Sequence, residues 1–398
     1  MNKTKISCAE LLEFVPDSLL EKIEAETKIN YQVKKLNGKI VFKLLLMSLL
    51  DSKNISLRVM EEIYNSPRFT TLSSKGKNNK TKHSTISDRL ANIDYLFFKK
   101  IFENLSQEFD KSFNIPEAGK RNIAKFDSTI VSLSMKLLKI GMRSGIDNIK
   151  NQIKFTVALN NNLPNNVQIF KEQKELNENT TLRKAILSTE LAENTIAVFD
   201  RGLQNRETLC KFTDENIFFT TRANENINYE FIKTFKKVEG IKTFTLCLEK
   251  DLIVKLKYGK HRKGEFTKRE FRLIISESLQ TKKKLFFLTN ITDLSAKEIT
   301  DIYRKRWDIE VFFKFLKQEL NFKHFVSRTE NGIKVMLYMT LILALLLIVY
   351  KTRNNISSYK IAKIRFRNEL EMDIIKEIVI LCNGNVSIFE KLRNRYAT

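Results

Sequence analysis

The segment VMLYMTLILALLLIVY at 335–350 most constrains the fold, because 16 consecutive residues carry no charge and only Thr340 and two tyrosines interrupt the aliphatic run. A bilayer crossing needs about 20 such residues, so this stretch is short for a membrane span and reads as a buried core helix. A helix of that kind requires a sizeable core around it. The chain is long enough to supply one, with 398 residues of which 42% are apolar. Its N-terminus, MNKTKISCAELLEF, is charged and lacks the apolar centre of a targeting segment. A cytoplasmic location away from membranes is therefore expected.

Charge narrows the partner. Seventy Lys and Arg against 46 Asp and Glu leave a formal charge of +24, which suits a polyanion such as nucleic acid. The four cysteines (Cys8, Cys210, Cys247, Cys382) are widely spaced and there are three histidines, which excludes a disulfide framework, a zinc ribbon and a Cys/His metal cluster. The densest basic segment is VKLKYGKHRKGEFTKREFR at 254–272, eight cations in 19 residues alternating with Val, Leu, Tyr and Phe. Period-2 alternation puts these cations on one side of a hairpin, where Lys255, Lys257, Arg262 and Lys263 can lie along a phosphate backbone. A solvated strand face is the plainer alternative.

Hydrophobic periodicity divides the chain. Residues 1–120 follow a helical period and are expected to form an N-terminal DNA-binding domain, interrupted by the polar stretch at 73–93, where Ser84 or Ser87 can cap a short helix. From 121 to 222 the order of elements is βββαβαβ, the signature of a ribonuclease H-like α/β core. No Gly-rich phosphate loop occurs to favour a nucleotide-binding fold. Residues 223–290 read as a β-rich insertion. Residues 291–352 return to the core with one amphipathic helix from Leu294–Ser295 to about Leu320 and the apolar helix after it, and 353–398 form a helical C-terminal region.

Three carboxylates stand where chemistry is expected. Asp127 lies inside the strand FDST, where an unpartnered carboxylate is costly to bury, although a strand edge or turn would also accept it. Asp200 ends the apolar strand AVFD and is followed by Arg201 and Gly202, at the strand end where α/β sites collect. Asn205 is better placed than Asp200 to cap the helix that follows. On a single helix, Tyr303, Arg306, Glu310 and Lys317 fall within an arc of about 60°, with bulky apolar residues over most of the remaining circumference. A solvent face would also be polar, but not so narrow. Two Asp and a Glu converging on one sheet edge repel one another unless a cation intervenes. With so few His and Cys, the expected ions are Mg²⁺, two of them, with Mn²⁺ able to substitute. The chemistry implied is cleavage or transfer at a phosphodiester.

FDST at Asp127, FDRG at Asp200 and Y-x2-R-x3-E-x6-K from Tyr303 to Lys317 resemble the DDE transposases of the insertion sequence four (IS-four) family. The resemblance covers roughly 120–350. It implies a transposase of a bacterial insertion sequence that binds terminal inverted repeats and performs metal-dependent DNA cleavage and strand transfer. Asp127, Asp200 and Glu310 would hold the metal ions, and Tyr303, Arg306, Lys317 and Arg201 would contact DNA. The partners would be double-stranded transposon ends and target DNA, held in a synaptic homodimer within a nucleoid-associated cytoplasmic protein. Members that use a hairpin intermediate stack a flipped base on an aromatic of the insertion, often Trp. Here the only Trp is Trp307, on the catalytic helix, leaving Tyr229, Phe231 and Phe235 for that role. The alternatives are a ribonuclease H-like DNA nuclease without strand transfer, or a catalytically inactive DNA-binding derivative.

Overall fold

A computed structural model describes residues 5–52, 54–73, 79–113, 121–132, 142–143, 151–259, 262, 264–322 and 325–395. In chain order these form helices α1 (Cys8–Leu12), α2 (Asp17–Thr27), α3 (Gly38–Asp51), α4 (Leu57–Asn65), α5 (Pro67–Ser73), α6 (His83–Asn92) and α7 (Leu96–Phe113). Then follow strands β1 (Ile123–Ser132), β2 (Met142–Arg143), β3 (Asn151–Asn160) and β4 (Leu163–Phe170), helix α8 (Glu178–Ser188), strand β5 (Ile196–Phe199), helix α9 (Arg206–Asp214) and strand β6 (Phe218–Ala223). Strands β7 (Tyr229–Thr234), β8 (Leu246–Leu256), β9 (Phe271–Ser278) and β10 (Lys284–Thr289) come next. Helices α10 (Ala296–Arg304), α11 (Trp307–Glu319), α12 (Glu330–Arg353), α13 (Tyr359–Leu381) and α14 (Val386–Arg395) complete the chain.

The contacts separate two units. A helical unit draws on Met1–Asn114 and Lys314–Thr398, and a sheet unit on Ile115–Ser132 and Gly141–Phe313. This grouping differs from the five spans expected, since α12 and the C-terminal helices pack with the N-terminal helices. The reason is the apolar run itself. Helix α12 is the one described helix long and apolar enough to cross a membrane, and 94% of its apolar window is buried within the protein. A helix apolar on every side has to be surrounded, and α3, α6, α7 and α13 pack against it. Its ends are fixed by polar bonds. Thr329 accepts from Gly332 N–H at 3.1 Å, while Asn331 donates to the carbonyls of Ala91 and Ile93 and accepts from Tyr95 N–H. At the other end, Tyr350 OH donates to Glu369, which also accepts from Cys8 N–H.

The cap expected for α6 comes from elsewhere. Ser84 and Ser87 both lie inside the helix, and Lys82 at the N-cap makes no side-chain cap bond. Glu61 on α4 accepts from His83 N–H at 2.8 Å, placing a carboxylate at the positive helix end from across the fold.

The sheet unit holds one continuous sheet, in the order β2-β3-β1-β5-β6-β10-β9-β8-β7, with β4 also paired to β3. Strand β1 runs antiparallel to β3 and parallel to β5, and β5 runs parallel to β6. All four residues of β5 are buried, as expected for a central parallel strand covered on both faces. One face packs Phe126, Phe199 and Phe219 against Leu182, Ile186, Leu209 and Phe212 of α8 and α9. The other packs Ile123, Ile196, Val198 and Phe287 against Ile299 of α10. The basic 223–290 segment extends the same sheet, because β10 pairs antiparallel with β6.

Two expectations need correction. The helix expected from Leu294 to Leu320 is two helices, broken at Lys305–Arg306. There the N–H groups of Lys305 and Arg306 bond Ile302 and Tyr303, a tightened three-residue turn that re-aims the chain. Nor do the cations of 254–272 all face solvent. Arg272 is fully buried, bound through Nε and Nη2 to Asp251 at 2.8 Å and through Nη1 to the carbonyls of Ile291 and Leu294. Each of these bonds is charge-assisted, which offsets the cost of taking the guanidinium out of water.

Candidate active site

The parallel register explains how two acids meet. The last paired residues of β1 and β5 are Phe126 and Phe199, and Asp127 and Asp200 follow one step later. Side chains alternate along a strand, so with Phe126 and Phe199 facing α8 and α9, both aspartates turn to the face that carries α10. Asp127 accepts from Ser128 N–H at 2.7 Å, and Asp200 from Gly202 N–H at 2.8 Å. Asn205 caps α9 through Thr208 N–H at 2.9 Å, which leaves Asp200 free of capping duty.

Burial pushes the Asp127 carboxyl up to about 7, with the neighbouring charges of Asp200 and Glu178 adding to the rise; the Ser128 N–H and Arg306 oppose it. Asp200 is also raised, first by burial, then by Glu178. Two desolvated acids that favour a proton are the natural place for a metal cation to replace it.

The third acid comes from the helix side. Arg306 holds one guanidinium nitrogen 3.7 Å from Asp127 and bonds Glu310 with another. Tyr303 lies beside this pair, its ring edge-on to Phe287 at 5.3 Å and 5.9 Å from the Arg306 guanidinium carbon. Burial raises its phenol. Thus Asp127, Asp200, Tyr303, Arg306 and Glu310 share one neighbourhood, but Arg306 stands between Asp127 and Glu310. Among the described residues, no three Asp, Glu, His or Cys are grouped closely enough to hold a metal ion. The hard oxygen donors of Asp127 and Asp200 fit a divalent cation, and Glu310 would have to leave Arg306 to join them. The Nε atoms of Arg306 and Arg222 are buried without a hydrogen-bond partner.

The remaining residues singled out from sequence are spread more widely. Arg201 is exposed beside Asp200. Lys317 lies two turns beyond Glu310, in the part of α11 that belongs to the helical unit. Lys255 is half-buried on β8 opposite Glu230, and Lys257 is exposed. Arg262 pairs with Glu207 at 2.8 Å, and Lys263 falls outside the described residues.

Sequence reasoning missed a set of buried lysines and their partners. Lys125 on β1 has no exposed side-chain surface and donates to Asp308 of α11 at 2.8 Å and to Asn162 at 2.6 Å. Lys154 on β3, 2% exposed, bonds the Glu178 carboxylate. A signal was present in each case, since a lysine inside an apolar strand needs a carboxylate near it.

Acids one step past the parallel pairing of neighbouring strands, with an arginine and a phenol at hand, equip an enzyme for chemistry at phosphodiesters. Comparison with known proteins agrees. A family model described as "Transposase DDE domain" matches residues 143–347, a span that includes Asp200 and Glu310 and begins after Asp127. A protein of Synechocystis named as a transposase for insertion sequence element IS4SA is 27% identical over 75% of this chain and 77% of its own length. Another from Geobacillus stearothermophilus, named as a transposase for insertion sequence element IS5377, is 28% identical over 45% of this chain and 47% of its own. In fold, the chain is similar to a piggyBac transposase solved as a synaptic complex with hairpin DNA. The TM-score is 0.50, with 10% identity, covering 98% of this chain and 82% of that one. The chain belongs to the DDE transposases of the IS4 family, DNA-cleaving enzymes of insertion sequences that work with divalent metal ions.

Proposed function

We propose that this protein binds the terminal inverted repeats of its own insertion sequence, cuts there, and joins the freed 3′ ends to target DNA. The observation that carries this reading is the side-by-side position of Asp127 and Asp200 one step past the parallel pairing of β1 and β5. The antiparallel β4-β3-β1 set continuing into parallel β5 and β6 supports a ribonuclease H-like core.

Asp127 and Asp200, with Glu310, would hold two Mg²⁺ ions, which when bound would activate the attacking oxygen and stabilise the leaving one. Arg306 and Tyr303 orient the scissile phosphate. A phosphate oxygen offers Arg306 an alternative to Glu310, and moving to it releases Glu310 toward the aspartates. Arg201, Lys255, Lys257, Arg262, Lys263 and Lys317 contact DNA phosphates. Phe231, 55% exposed on the edge strand β7, is a better stacking platform for a flipped base than Phe235, which Arg272 covers at 4.5 Å. Cutting two ends together calls for a homodimer on DNA, in the cytoplasm at the nucleoid.

The test is cleavage of DNA carrying the element's ends by purified protein with Mg²⁺. Asp127→Asn, Asp200→Asn and Glu310→Gln should each abolish nicking while binding persists. Cut ends without joined products, when target DNA is supplied, would mark a nuclease instead.

A further inference from the structure

The first turn of α8 reaches both aspartates from the opposite side of the sheet. Glu178 is its first residue, and its two carboxylate oxygens are taken up separately, one by Ser128 Oγ and the other by Lys154 Nζ. Ser128 is the neighbour of Asp127 on β1. The stem of Glu178 lies against the turn after Asp200. A Cβ at Gly202 would come within 2.5 Å of Glu178 Cγ and 2.9 Å of Asp200 Oδ1, so only glycine lets these two acids lie together. The next residue of α8 fastens the same turn, since Asn179 Oδ1 accepts from Gln204 N–H at 2.7 Å and Asn205 N–H at 2.9 Å. Lys154 is buried and also donates to Leu176 O at 2.9 Å, which fixes the counter-charge behind Glu178.

We propose that Glu178 is a positioning residue for the Asp127–Asp200 pair, bracing β1 beside Asp127 and the turn after Asp200 and adding negative charge that tightens divalent-cation binding, with Lys154 as the opposing charge. This rests on the reading of the two aspartates as cation ligands. Both oxygens of Glu178 already have partners inside the protein, so it acts through the aspartates. Mutating the residues that support metal ligands typically changes metal affinity or activity by about 10–100-fold.

The two members of the ion pair separate charge from mere support. Glu178→Gln removes a negative charge and Lys154→Met removes a positive one, yet both break the same ion pair. The measurement is Mn²⁺ titration of the full-length protein without DNA, followed by the electron paramagnetic resonance of free Mn²⁺. Glu178→Gln should weaken binding about tenfold, and Lys154→Met should tighten it. Mn²⁺ requirements for cleavage should move in the same directions, with little change in the rate at saturating Mn²⁺. Weaker binding in both variants, or unchanged affinity in Glu178→Gln, overturns the proposal. If Glu178→Gln does not fold, Ser128→Ala decides, because it removes one brace and keeps the ion pair; unchanged affinity there is equally fatal. Asp127→Asn and Asp200→Asn are the separate control. Persistence of the Mn²⁺ site in those variants refutes the ligand reading itself, whereas its loss there with no effect of Glu178→Gln refutes only the role of Glu178.

Discussion

Lys125 on β1 donates to Asp308 on α11 at 2.8 Å, and each stands two residues before an acid of the site, Asp127 on the strand and Glu310 on the helix. The pair therefore sets the distance between two elements that must act together. Its members differ in burial, since the Lys125 side chain is fully buried and that of Asp308 is 45% exposed.

That asymmetry predicts unequal mutational costs. Asp308→Ala leaves a buried ammonium without its carboxylate and should destabilise the protein by about 3 kcal/mol. Lys125→Met fits an apolar chain into the same space and leaves Asp308 for water to solvate, so its cost should be about 1 kcal/mol. Urea unfolding of the two variants checks the order. Equal costs would mean that the ion pair does not hold α11 against β1.

The raised carboxyl of Asp127 predicts how pH acts on the metal-free protein. Its folded value of about 7 lies above the value near 3.9 of an unfolded chain, so the folded state binds the extra proton between those limits. The stabilisation is complete below about pH 4 and is lost as pH rises toward about 7, beyond which it is flat. Asp200, also raised, contributes with the same sign. Melting temperature measured across pH 4–8 should show this fall, and Asp127→Asn should remove most of it. Saturating Mg²⁺ should move this fall to lower pH, because a bound cation replaces the proton on the acid.

Much of this arrangement was legible before any coordinates, and the gaps share one cause. Local pattern was enough for the three long strands β1, β3 and β4, the alternation that follows them, the buried α12 and the Asn205 cap, because each depends on residues close in sequence; the two-residue strand β2 was missed. Asp200 at the end of an apolar strand was legible too, but its nearness to Asp127, which lies within β1, comes from the parallel register of β1 and β5. What could not be read were the interactions between distant residues. The break at Lys305–Arg306 has neither Gly nor Pro to announce it, and the re-aimed Arg306 meets Asp127 from a strand far earlier in the chain. Arg272 looks outward by alternation until Asp251, on the adjacent strand, is placed beside it. Glu178 carries no motif, and its importance emerges only with Lys154 and Ser128 in contact.

The buried Arg272–Asp251 pair should be costly to break and cheap to replace. Asp251→Asn leaves a guanidinium with no exposed surface and no counter-charge, a loss of about 3–5 kcal/mol. The double variant Arg272→Met with Asp251→Leu removes both charges and should recover most of that stability. It should not recover activity fully, because Arg272 also holds the carbonyls of Ile291 and Leu294 just before α10. Guanidinium chloride unfolding and DNA cleavage, measured on the same samples, separate the two effects. A double variant as unstable as Asp251→Asn would show that the arginine's carbonyl bonds, rather than the charge pair, dominate.

Arg306 occupies the space between Asp127 and Glu310 with a positive charge of its own; burial opposes that charge, but the bond to Glu310 and the charges around it outweigh burial and hold the guanidinium above its usual range. Removing it should therefore act in opposite directions on two measurements. In Arg306→Ala the acids lose a competing cation, so Mn²⁺ should bind more tightly in the absence of DNA. Cleavage of end-containing DNA should nevertheless fall by about 100-fold or more, because the donor for the phosphate is gone. Arg306→Lys keeps a charge but cannot bond two acceptors in the plane of a guanidinium, and should recover little of the cleavage. Tighter Mn²⁺ binding together with full cleavage in Arg306→Ala would reduce the arginine to a placeholder for the metal. Weaker Mn²⁺ binding would mean that Arg306 serves to hold Glu310 within reach of the aspartates.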